Sequence, residues 1–119
     1  MTTGRNGEIL TSTDGTTWTS RDSGTGVHLD GVTYANGTFV AVGNSGTILT
    51  STDGTTWDNS TSGTSNGLSG VTYGNSTFVT VGDNGTILTS SDGTTWTERD
   101  GLRSKWVLPQ YFKAITYRK

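Results

Sequence analysis

A strict 39-residue repeat, a composition dominated by Thr, Gly and Ser, and an Asp-Gly turn in every period predict an all-β fold. Its units are four-stranded antiparallel sheets set side by side as the blades of a β-propeller. The repeat is read from residues 7–18, 46–57 and 85–96, which align without a gap. The first two copies differ only at Glu8 against Thr47, and the last two only at Thr52 against Ser91. A second block, 29–43, matches 68–82 at 11 of 15 positions and at the same spacing. Of 119 residues, 26 are Thr, 18 Gly and 13 Ser, while 29% are hydrophobic and 15% charged. A helical bundle needs far more Leu, Ala, Glu and Lys, and no apolar spacing of 3.6 survives this much Gly and Thr.

Each period divides into four strands. Residues 31–34 (strand A) and 38–42 (strand B) flank an Ala35-Asn36-Gly37 turn, and Val, Tyr, Phe and Thr suit a pleated surface. A turn over 43–46 leads to strand C, 47–51. Asp53-Gly54 then reads as a two-residue hairpin with both turn residues at positive φ, so that Thr55, Thr56 and Trp57 open strand D. Val40, Ala41 and Val42 are apolar on both sides of one strand. A sheet covered on both faces by neighbouring sheets explains that pattern, and a leucine-rich solenoid has a shorter period of ~20–29 residues.

The chain counts as one propeller fragment, 1–119, with repeats at 7–45, 46–84 and, in part, 85–98. Full blades span roughly 29–67 and 68–100, and residues 1–4 align with 40–43 as a stub of strand B. Three blades fall short of the ~4–8 that close a ring. The expectation is therefore that the ring is completed by homo-oligomerisation, two copies giving six blades and, second, three giving nine. Residues 99–119 break the repeat and are expected to supply blade-closing strands. Two alignments are open: 114–117 as a strand A like 70–73 with strand B missing, or a hairpin of 105–108 with 112–117 around the only Pro. Either leaves strand edges that invite another chain.

The sequence Ser12-Thr13-Asp14-Gly15-Thr16-Thr17-Trp18 and its copies resemble the Asp-box of BNR-type repeats. With the flanking strands, residues 4 to 98 resemble the YCF48-like group of propellers. That resemblance implies that Ser12, Asp14, Gly15, Thr17 and Trp18, Ser51, Asp53, Gly54, Thr56 and Trp57, and Ser90, Asp92, Gly93, Thr95 and Trp96 are structural turn residues between the third and fourth strands. Locally, the Asp carboxylates are placed to accept backbone N–H groups of their own turns. The three Trp are expected to pack between neighbouring blades.

Catalytic chemistry finds little footing. Asp-box repeats also occur in sialidases, which need an arginine cluster and a carboxylate-assisted tyrosine. Residues 1–98 hold only Arg5 and Arg21, with Glu8 and Glu98 as the only Glu. His28 stands alone and Cys is absent, so no metal site, cofactor or enzyme activity is expected. No apolar run approaches the ~20 residues of a membrane span. Charge is uneven: 1–98 carry −7 and 99–119 carry +5. The tail is expected to dock on an acidic body through Trp106, Leu108 and Phe112, with neither nucleic acid nor membrane as partner. The function expected is a non-enzymatic, self-assembling binding or assembly scaffold. Protein assembly is the role the YCF48-like resemblance implies. The alternatives are a lectin-like module with one weak glycan site per blade, and a fragment or engineered propeller with no evolved ligand. Polar connections 19–28 and 58–67 are the expected ligand-facing loops.

Overall fold

In the computed structural model, which describes residues 1–100, the chain is all-β. The 11 strands among the described residues form three antiparallel sheets. Sheet I has order β1 (Thr2–Thr3), β2 (Ile9–Thr11), β3 (Thr19–Arg21). Sheet II runs β4 (Leu29–Ala35), β5 (Thr38–Gly43), β6 (Thr47–Ser51), β7 (Asp58–Ser60). Sheet III repeats that order with β8 (Leu68–Gly74), β9 (Thr77–Gly82), β10 (Thr86–Ser90), β11 (Thr97–Asp100). The tail strands expected within 99–119, apart from the end of β11, and the docking contacts of Trp106, Leu108 and Phe112 lie outside the described residues.

The hairpin chemistry sits two turns earlier than the Asp-Gly reading placed it. Asn36 and Gly37 take φ 52° and 75° between paired Ala35 and Thr38, which is the two-residue turn with both residues left-handed. Asn75 and Ser76 do the same in sheet III at φ 52° and 61°. The Asp53-Gly54 connection is longer: six residues separate Ser51 from Asp58, and only Gly54 of the pair has positive φ, 78°. Thr55, Thr56 and Trp57 therefore belong to the turn and not to the following strand. The Asp53 carboxylate draws the Thr55 and Thr56 N–H groups inward, away from a ladder.

Packing follows the two-residue period of a strand. Val40, Val42 and Ile48 of sheet II meet Leu68, Phe78 and Leu88 of sheet III, all fully buried. On the opposite face of sheet II, Ala41 and Leu49, with Leu29, meet Ile9 of sheet I. Successive residues of β5 thus serve two interfaces, as the unbroken apolar run required. The sheets approach most closely through β4 and β8, where a Cβ on Gly31 would stand 3.1 Å from the Gly70 Cα. A third buried cluster, Val79, Val81 and Ile87, lies on the face of sheet III turned away from sheet II. By the repeat these residues correspond to Val40, Val42 and Ile48.

The end faces differ in completeness. Leu49 and Leu88 are buried, whereas their equivalent Leu10, on the outer face of sheet I, is half-buried. Sheet I also has three strands against four, because among the described residues nothing pairs with β1 in the place that β4 and β8 occupy in the other sheets.

Candidate functional site

The Ser-x-Asp-Gly turns are built three times with one geometry. In the second, the Ser51 hydroxyl donates to Asp53 Oδ1 at 3.0 Å and accepts the N–H groups of Asp53 and Gly54 at 3.2 and 2.7 Å. Asp53 Oδ1 also accepts Thr55 and Thr56 N–H at 2.8 and 2.9 Å. Ser12 with Asp14, and Ser90 with Asp92, repeat these bonds. Gly15 and Gly93 share the left-handed conformation of Gly54. Two backbone N–H donors on one oxygen, led by Thr56 for Asp53, Thr17 for Asp14 and Thr95 for Asp92, hold all three carboxyls below the ordinary carboxylate range.

That depression gives a pH dependence of defined sign. A carboxyl whose native pKa lies below its unfolded value of about 3.9 stabilises the fold above that value. Its contribution fades as pH falls through the native pKa. In Asp53→Asn one such contribution is absent. The stability gap between wild type and variant is expected to be full at neutral pH and to shrink steadily below about pH 4. Urea midpoints measured across that range read it directly; a gap independent of pH would contradict it.

The three Trp diverge. Trp57 lies 6.2 Å from the Phe39 ring and donates from Nε1 to Gly54 O at 3.1 Å. Trp96 does the same with Phe78, at 6.5 Å, and Gly93 O, at 3.0 Å. Each packs against the cluster joining its sheet to the one before. Trp18 departs from the expected burial: it is 44% exposed, and no aromatic ring stands against it among the described residues.

A cleft of about 480 Å³ lies between the first and second Ser-x-Asp-Gly turns. Thr11, Ser12, Thr17 and Arg21 line one side, Phe39 and Asp53 the other. A Cβ on Gly54 would meet Met1 Cε at 3.2 Å and Phe39 Cε2 at 3.5 Å, much as one on Gly93 would meet Val40, Phe78 and Thr38 side chains at 3.4–3.5 Å. Arg21 is tied by Nε to Thr11 Oγ1 at 3.0 Å, and the Ser12 and Asp53 oxygens are engaged in their turns. The lining is thus rich in hydroxyls, of which Thr11 and Ser12 are already hydrogen-bonded, and suited to polar contacts. This cleft has no sequence signal, since its two walls come from different repeats.

The polar connections expected to face ligand spend much of their hydrogen bonding internally. Their first residues, Thr19–Arg21 and Asp58–Ser60, are strands. In the second loop, Ser62 Oγ donates to Thr64 O and Thr64 Oγ1 accepts Asn66 N–H, while Asn66 Nδ2 reaches Thr86 Oγ1 at 2.9 Å. His28 pairs with Asp30 at 2.6 Å. Among the described residues no three His, Cys, Asp or Glu side chains come together as a metal site would require. Compared with protein-family models, curated protein sequences and solved structures, the chain gives no significant match.

Proposed function

We propose that the protein is a non-enzymatic, self-assembling scaffold of propeller blades, in which copies stack end to end and two copies complete a ring of six. The observation that carries this reading is the relation between the end faces. The outer face of sheet III bears Val79, Val81 and Ile87, the repeat equivalents of the sheet II residues that receive sheet III. The outer face of sheet I bears Leu10 and Thr2, the equivalents of Leu49 and Ala41, which receive sheet I on the other side of sheet II. Val79, Val81 and Ile87 are already buried in the single chain, so the support for a contact between copies is the repeat correspondence itself, a heterologous pairing that forms a ring when the rotation closes.

Light scattering on the eluting protein tests it. A mass twice the 12.5 kDa chain supports six blades, and three times that mass supports nine. A well-folded monomer would overturn the reading. Carbohydrate binding is the second reading, favoured by exposed Trp18 beside a hydroxyl-lined cleft. It would rest on one site and not one per blade, since the Trp57 and Trp96 rings are engaged with Phe39 and Phe78. A glycan array without binding would remove it.

A further inference from the structure

We infer that the cleft between sheets I and II binds an acidic saccharide unit, a hexuronic acid, with its carboxylate on Arg21. The inference rests on the carbohydrate reading above, to which it gives a chemical class. It does not depend on whether copies assemble, since both walls of the cleft belong to one chain.

The cleft has the size and the two-sided chemistry of a small-ligand site. Its volume of about 480 Å³ falls within the roughly 300–1,000 Å³ that such ligands occupy. One wall is polar and comes from sheet I. Arg21 opposes Ile9 and Thr19 opposes Thr11 across β2 and β3, so Thr11, Thr19 and Arg21 share the face on which Ile9 is buried toward sheet II. The other wall carries the Phe39 ring of β5, which stands 4.4 Å from the Tyr34 ring. This pair of rings is open at the junction of sheets I and II and closed at the next. Tyr34 is 58% exposed and Phe39 half-buried, whereas their repeat equivalents Tyr73 and Phe78 are packed into the cluster joining sheets II and III, Phe78 fully buried. A pyranose ring offers hydroxyls at its rim and C–H groups on its faces, and so matches a wall of hydroxyls opposite a wall of rings.

Arg21 selects the acid. Its Nε donates to Thr11 Oγ1 at 3.0 Å, which fixes the guanidinium. Among the described residues its terminal nitrogens have no hydrogen-bond or ion-pair partner. A guanidinium held in this way presents paired N–H donors that fit a carboxylate. Asp53 across the cleft is committed to its own turn, where Oδ1 accepts Ser51 Oγ and the N–H groups of Thr55 and Thr56. The repeat supplies the comparison. Arg99 makes the same bond to Thr89 Oγ1, at 2.9 Å, but stands exposed, and in sheet II the equivalent residue is Ser60. Of the two junctions between described sheets, one alone brings a guanidinium, free hydroxyls and open rings together.

Titration of the full chain with methyl glucuronide and with methyl glucoside, followed by two-dimensional NMR of the backbone amides, tests this. The glucuronide is expected to bind about tenfold tighter, because a hydrogen bond to a charged partner contributes more than a neutral one. Its shifts are expected at Thr11, Thr19, Arg21 and Gly54. Arg21→Gln removes the preference and Arg99→Gln keeps it. Added salt weakens the glucuronide and leaves the glucoside unchanged, a readout that needs no variant to fold. Equal affinity for the two glycosides, or a preference that persists in folded Arg21→Gln or in high salt, overturns the inference and leaves the carbohydrate reading standing. Acetate that shifts the same amides with the affinity of the glucuronide overturns the saccharide class. Shifts gathered around Trp18 place the sugar elsewhere and overturn the site. No shift with either glycoside overturns the carbohydrate reading and this inference with it.

Discussion

Gly46→Ala leaves the chain largely unfolded, at a cost above about 4 kcal/mol, in the range reserved for steric failures of a core or backbone site. Gly46 has φ +69°, which alone costs an L-residue roughly 1–2 kcal/mol. Its new Cβ would stand 1.9 Å from Thr64 O and 2.8 Å from Thr64 C. Those are backbone atoms of the loop that carries the chain from sheet II to sheet III, so relief means moving the connection itself. Gly63→Ala is the control, with φ +80° and nothing within 4 Å, and should cost only about 1 kcal/mol. Circular dichroism with urea titration of both variants separates collision from conformation. Equal losses would mean that the loop does not bear on Gly46.

Trp96→Ala is expected to cost about 3 kcal/mol and Trp18→Ala less than about 1, although the two residues end almost identical segments. Trp96 packs on the cluster of Val40, Val42, Phe78 and Leu88, stands against the Phe78 ring, and satisfies Gly93 O. Removing it leaves a hole at the junction of sheets II and III and an unpaired carbonyl. Trp18 is 44% exposed and has no ring partner among the described residues, so water already occupies most of what its loss would vacate. Urea midpoints for the two variants check the difference. Equal destabilisation would place Trp18 in an interface formed between copies, and would then vanish on dilution below the association threshold.

Much of this architecture was legible in the residues. Strand C over 47–51 is β6 as read, and strand B over 38–42 gains only Gly43. Alternation across Val40, Ala41 and Val42 announced a sheet covered on both faces. The Asp-Gly pair misled because it carries two meanings. Flanked by Thr it reads as a tight hairpin, but Ser51 two residues ahead of Asp53 supplies a second acceptor that widens the turn to six residues. The tight hairpin lies instead at Asn36-Gly37, where nothing but the strand ladder competes.

By itself the sequence determined the first three strands of each sheet, their order and the residues that brace each Ser-x-Asp-Gly turn, because those interactions close within a few residues and repeat wherever the residues do. Only the tertiary structure decided which copies are buried. Trp18, Trp57 and Trp96 share a local sequence but not a set of neighbours, and exposure depends on atoms 39 residues away or on the far side of a sheet. A repeat makes every period alike, whereas stacking makes the first and last sheets unlike the one between them.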